Sequence, residues 1–143
     1  MSKTQAQLDR ATDLRLQKAY GISLREYEVM LYCAGGGCQI CGKPPGSKRL
    51  HVDHDHGWKK VKIVSKKYPD AWNAKAVYHG KEFNADKKTK STAIRDIRIQ
   101  LKRASVRGIL CAWCNRGLRY YRDTPELMQN AAAYLRKHQG VSK

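Results

Sequence analysis

Hydrophobic and polar positions change their period several times along the chain, and each change marks an element. Residues 5–19 have helical spacing but only a weak apolar stripe. Ser23 precedes LREYEVMLYCA, where Leu24, Tyr27, Leu31 and Ala34 recur at core spacing, so a second, Ser-capped helix is expected. Cys33, at the end of that helix, reads as a small buried residue. PPGSKR (44–49) is a turn, and LHVD after it a short strand. WKKVKIV (58–64) alternates like a half-buried strand, and AVYHGKEF predicts a hairpin around His79 and Gly80. From Ser91 the period becomes helical, with Ile94, Ile97, Leu101 and Ala104 as a core stripe and Arg95, Arg98 and Lys102 on other faces. RGILC (107–111) predicts a strand and CNRGLRYY a short helix. DTPELMQNAAAYLRKH predicts a last helix, with Thr124 as cap, Pro125 at the first helical position, and Leu127, Met128, Ala131, Tyr134 and Leu135 on one face. The mixture specifies an α+β chain, and 143 residues suffice for one domain with a modest core.

Charge narrows the partner. Lys plus Arg number 29 against 12 Asp plus Glu, a net +17, which calls for a polyanion, nucleic acid first. A membrane surface fits less well: no apolar run approaches a transmembrane span, and no helix sets a pure Lys/Arg face beside a Trp/Phe/Leu face. MSKTQAQLDRATDLRLQ lacks the apolar segment of a secretory signal, so a cytoplasmic protein with reduced thiols is expected.

The cysteines fit that compartment. Cys38 and Cys41 form CQIC, Cys111 and Cys114 form CAWC, and two such pairs read as a four-thiolate zinc site, because a two-residue spacer lets a knuckle turn aim both sulfurs at one tetrahedral ion. Gly37 and Gly42 flank the first pair where the turn needs a permissive backbone. Redox motifs or accidental spacing are the alternatives. The 69 residues between the pairs exceed a zinc ribbon's usual spacing, so the loop they enclose must carry structure of its own.

Inside that loop lies HVDHDHG (51–57), in which His51, Asp53, His54, Asp55 and His56 crowd into six residues. Each must be solvated or paired, so the cluster is costly without a task. A second zinc site built from His51, Asp53 and His56 is one reading. His79 and His138, standing alone, read as structural.

CQIC, HVDHDH, VRGILCAWCNRGL and DTPELMQNAAAYL together resemble the recombination endonuclease VII family of phage Holliday-junction resolvases, a branch of the HNH (ββα-metal) nucleases. The resemblance covers about residues 19–53 and 105–136. It implies Cys38, Cys41, Cys111 and Cys114 as structural zinc ligands, Asp53 and Asn115 as ligands of a catalytic magnesium (manganese being possible), His54 as general base, and His51 and His56 as flanking histidines. The residues suit those roles. An imidazole can deprotonate water at neutral pH, and a hard Mg²⁺ prefers carboxylate and amide oxygens. No carboxylate lies between Asn115 and Tyr121, so such an ion would keep several waters, in line with a one-metal mechanism. Adjacent Asp53 and His54 would point to opposite faces of a regular strand, so a bend is required where both reach one phosphate.

The resemblance also implies only a short linker where this chain has residues 57–104. Residues 57–107 hold 15 Lys plus Arg and 4 Asp plus Glu, or +11 of the net charge. Lys59, Lys60, Lys62, Lys66 and Lys67, with Arg107 and Arg116, are the candidate DNA contacts; a solvated excursion without a role is the alternative. The reading is one HNH endonuclease domain over 1–143. It comprises N-terminal helices (1–36), a zinc-stapled ββα core (37–56 and 105–121), a basic insertion (57–104) between the core strands, and a C-terminal helix (122–143). The expected activity is DNA cleavage to 5′-phosphate and 3′-hydroxyl ends at branched junctions, by a homodimer in the host cytoplasm if phage-encoded. A non-catalytic zinc-dependent nucleic-acid-binding module and a nicking or homing-type HNH enzyme are the rivals.

Overall fold

Local chemistry starts the first two helices. In the computed structural model, which describes residues 3–139, α1 (Gln5–Tyr20) and α2 (Leu24–Cys33) each open on a capping box, Thr4 with Gln7 and Ser23 with Glu26. Gly21 separates them at φ 72°, and a side chain there would press on Ile99 O and Arg103 Cβ of a later helix. Tyr27 is the anchor of α2: its ring is buried and its hydroxyl donates to Leu50 O at 3.1 Å. Leu24, Leu31 and Ala34 pack partly buried around the same core.

Two strands far apart in sequence then pair. β1 (His51–His54) lies antiparallel to β5 (Val106–Leu110), and Val52 and Ile109 close over Leu16, Ile22, Tyr27 and Leu50 as one core. α4 (Ala112–Tyr120) follows β5 after a single residue, and α5 (Pro125–His138) ends the described chain. Between β1 and β5 the chain builds a second core. β2 (Val64–Lys67), β3 (Trp72–Tyr78) and β4 (Lys81–Lys87) form an antiparallel sheet in that order, backed by α3 (Lys90–Ala104). His79 and Gly80, at φ 49° and 74°, make the two-residue β3–β4 turn that the HG pair suggested. Ala74, Ala76 and Ala85 are small enough to let Ile97 and Leu101 of α3 approach the sheet. The inserted segment thus carries a core of its own.

Several expectations need correction. Residues 58–64 are not one strand: His56–Lys60 is a 3₁₀ turn, capped by Asp55 accepting from Gly57 N–H, and pairing begins only at Val64. The alternation was real in part, since Val61 and Ile63 do reach the second core. Cys33 is exposed, because it falls six residues, or about 240° of helix, from Tyr27. α3 begins at Lys90 under a Thr89 cap, not at Ser91, and Ala104 at its end is exposed. Thr124 precedes α5 but its side chain makes no cap bond, and Leu127, Tyr134 and Leu135 stay exposed. Among the described residues no helix is long and apolar enough to cross a membrane.

Gly108 faces Asp53 across the ribbon. A Cβ there would collide with Gln39 Oε1, which accepts the N–H of fully buried Ile109 at 2.8 Å. Gly108→Ala should therefore cost about 1–3 kcal/mol in urea unfolding, as overpacking does. Gly117→Ala, in open space within α4, should instead gain roughly 0.5–1 kcal/mol.

Candidate active site

The two CxxC pairs meet. One ligand atom from each of Cys38, Cys41, Cys111 and Cys114 lies within 4.8 Å of the others, and Cys41 Sγ stands 3.7 Å from Cys111 Sγ. Sulfurs about 2.3 Å from a tetrahedral ion would be roughly 3.8 Å apart, so the cluster could hold a structural metal such as zinc. The turn that shapes the first pair is tight: Gly42 N–H donates to Cys38 O, Gly42 has φ 73°, and a Cβ on Gly37 would strike Gly42 O. Cys111 caps α4, its sulfur accepting the Cys114 N–H at 3.4 Å. Burial pushes the Cys38 thiol up, but backbone N–H donors outweigh it and bring it down to about 6. Burial and the three other sulfurs push Cys114 up to about 12. Four thiolates so close can coexist only around a cation.

Next to this cluster the β1–β5 ladder slips. Asp53 pairs with Gly108 but His54 with Val106, leaving Arg107 as the extra residue of a β-bulge. This is the bend that lets adjacent Asp53 and His54 approach one point. Asp53 and His54 line one small cavity of about 150 Å³, together with His56, Asn115 from the first turns of α4, Tyr20, Arg107, Arg119 and Asp123.

Arg107 organises the carboxylates of that cavity. Its Nε donates to Asp53 Oδ2 at 2.7 Å and its Nη2 to Asp53 Oδ1 at 2.9 Å, a fork-to-fork pair, and the same Nη2 lies 3.3 Å from Asp123 Oδ1. Asp53 is buried, so this pairing keeps its charge tolerable in the interior. The His54 ring stands edge-on to Tyr20, centroids 5.3 Å apart, and tilts against His56 at 4.5 Å. Burial first, then the neighbouring His56, push the His54 imidazole below its ordinary value. It is therefore neutral, and able to accept a proton, at neutral pH.

Asp55 faces away from the cavity and serves as a fastener. Its Oδ2 accepts from Tyr78 Oη at 2.6 Å and lies 3.2 Å from His79 Nε2, so the turn end of β3–β4 is tied to the residue after His54. Asp55 N–H also donates to Ser105 O at 2.9 Å, joining the two ends of the insertion.

Of the residues singled out from sequence, Asp53, His54, His56 and Asn115 come together, whereas His51 stands exposed at the start of β1 and lines a separate cleft with Tyr27, Arg49 and Leu50. Lys59, Lys60, Lys62, Lys66 and Lys67 are all exposed, and Arg116 lies over the exposed Trp113 ring, 5.6 Å from its centroid. Arg107 turns inward to the carboxylates. Sequence reasoning missed Tyr20, Arg119 and Asp123. Asp123 carried one faint signal, the polar RDTP break between two helices, where Arg122 and Asp123 adopt φ of 53° and 52°.

A family model described as recombination endonuclease VII matches residues 13–137. The Gene 59 protein of Mycobacterium phage D29 is 30% identical over 131 residues, covering 90% of this chain; the chain spans 52% of that relative's length. No solved structure matches.

The Asp55 fastener has a titration signature. Burial, then the bond to Asp55, pushes the Tyr78 phenol up to about 12 from 10.0. The Tyr78 hydroxyl, then the Gly57 N–H, bring Asp55 down to about 2 from 3.8. Tyr78 thus contributes stability below pH 10 that disappears toward 12, and Asp55 contributes stability above about pH 4 that disappears toward 2. In Asp55→Asn, ¹³C NMR of the Tyr78 ring should show its phenol returning only part of the way to 10, since burial remains. Acid unfolding of that variant should flatten between about pH 4 and 2.

Proposed function

The chain belongs to the recombination endonuclease VII family, and we propose that it is an HNH-type, metal-dependent endodeoxyribonuclease. It hydrolyses phosphodiesters to 5′-phosphate and 3′-hydroxyl ends, with branched DNA such as Holliday junctions as substrate. The observation that carries this reading is the gathering of Asp53, His54, His56 and Asn115 around one cavity beside four converging cysteines.

The donor set suits a hard cation. Asp53 and Asn115 offer oxygens, and a carboxylate has about four lone-pair directions, of which the Arg107 fork takes two. Asp53 and Asn115 would hold Mg²⁺ or Mn²⁺, which supplies Lewis-acid polarisation of the phosphate and stabilises the departing oxygen. The protein supplies the rest. A ring nitrogen of His54 takes the proton of the attacking water, and Tyr20 and His56 fix that ring by packing. Arg119, also lining the cavity, offers a guanidinium to the phosphate oxygens. Arg107 holds the Asp53 carboxylate aimed.

Zinc in the four-cysteine cluster then serves the active site mechanically: it pins Asn115, next to Cys114, against the ribbon that carries Asp53 and His54. The exposed lysines 59, 60, 62, 66 and 67 track the phosphate backbone around the cut. A junction needs two coordinated cuts, and exposed Leu8 and Leu14 of α1 with Leu127, Tyr134 and Leu135 of α5 supply apolar faces for a homodimer. Such an enzyme would act on phage DNA in the host cytoplasm.

His54→Ala should lower Mg²⁺-dependent cleavage of a synthetic four-way junction at least about a hundredfold with little change in DNA affinity, because loss of a general base acts on the transition state. The wild-type acidic limb of kcat/KM should fall below the ordinary imidazole value of 6.5, the direction in which burial moves His54. Unchanged cleavage would take the general-base role away from His54, a wild-type chain that binds DNA without cutting it would favour a binding module, and equal rates on junction and linear duplex would remove the branch preference alone.

Cys111→Ser should release about one zinc per chain and lower stability by several kcal/mol, read by metal analysis and thermal unfolding, since zinc binding is coupled to folding. Full zinc with unchanged melting would overturn the four-cysteine site.

A further inference from the structure

The insertion's sheet has one filled face and one bare face. Ala74, Ala76, Tyr78, Phe83 and Ala85 pack against α3. The side chains that alternate with them face outward, and the register sets them in rows: Val64, Lys75 and Asn84 in one, Lys66, Asn73 and Asp86 in another, Val77 beside Glu82. We propose that this bare face enters the major groove of duplex DNA and reads base edges there, giving the enzyme a sequence preference separate from its cutting site. The proposal rests on the reading of the chain as a DNA endonuclease.

Size permits it. The outer strand axes of the three-stranded sheet lie about 10 Å apart, close to the roughly 12 Å width of a major groove. Seven-residue β3 and β4 extend about 20 Å, long enough to follow several base pairs.

Chemistry favours base reading over simple phosphate contact. A surface that only grips phosphates needs cations; this one sets two amides, two carboxylates and two valines among its lysines. Those are the groups that distinguish bases: lysine for guanine, an amide for adenine, a carboxylate for the cytosine amino group, and an apolar methyl contact for thymine. The valines are more than half exposed, Val64 at 59% and Val77 at 58%, so apolar surface stands open on the face. Asn73 Nδ2 donates to Asp86 Oδ1 at 2.8 Å, which orders one row before any ligand arrives.

Charge and position complete the case. Lys62 lines one groove with Val64, Lys75 and Val77, in a segment that carries +11, and would meet a flanking phosphate. The Tyr78 and His79 bonds to Asp55 fasten the far turn of this sheet beside His54, so DNA seated on the face lies at a fixed offset from the cavity.

The experiment uses the zinc-loaded full chain carrying His54→Ala, without magnesium, and selects bound duplexes from a randomised pool. One sequence family should be enriched. On that duplex, dimethyl sulfate footprinting should show guanine N7 protection, a major-groove signature that needs no change to the sheet. Lys75→Ala and Asn84→Ala should each reduce the affinity ratio of selected over scrambled duplex by roughly tenfold. No enrichment, or protection without dependence on Lys75 and Asn84, overturns the proposal while DNA binding and junction cleavage keep the nuclease reading intact. A chain that binds no DNA at all overturns both. Sedimentation of Val77→Asp supplies the remaining outcome: loss of a wild-type dimer would make this face a contact between two copies and reject the groove.

Discussion

Four sulfurs drawn from two distant stretches of chain must meet at one point, and the rest of the structure follows from that closure. Bringing residues 38–41 to 111–114 sets β1 beside β5, since Gln39 N–H donates to Ile109 O and the Gln39 side chain accepts from Ile109 in return. The same closure starts α4 at Cys111 and so delivers Asn115 to the ribbon. Thiols this close repel once ionised, so the cluster could hold a structural metal such as zinc at its centre.

Such a closure spans 69 residues, and loop-closure entropy alone would tax it. The insertion reduces that burden by folding locally. Its contacts are between neighbours in sequence: a two-residue hairpin, a third strand on its edge, and a helix on its back. Lys102 Nζ donates to Lys18 O, Arg103 pairs with Glu26, and Asp55 holds the far turn, so the second core is braced against the first on two sides. Two small cores, neither large enough to be very stable alone, thereby share one framework.

Legibility in the sequence followed the range of the interactions. Short-range chemistry could be read: the knuckle spacing, the Ser23 cap, the His79–Gly80 turn, and the helical period around Ile97. The cysteine cluster was legible because the two-residue spacing within each pair is itself a local signal. What escaped depends on distant partners. Asp55 converts the start of an apparently alternating strand into a 3₁₀ turn because Tyr78 and His79 hold its carboxylate in place. Asp53 finds Arg107, 54 residues away, as a charge partner, and nothing in either local sequence announces it. Asp123 reaches the cavity only because two successive residues adopt left-handed backbone after α4. Burial misled at Cys33, where helical phase outweighs side-chain preference.

The hydrogen bond between Asp55 N–H and Ser105 O bears on how such a protein changes over time. The chain leaves the ribbon and rejoins it at adjacent points, so the segment between is attached there as a single unit. A lineage could gain, trade or shed this module as a unit, because its hairpin, third strand and helix form a core of their own.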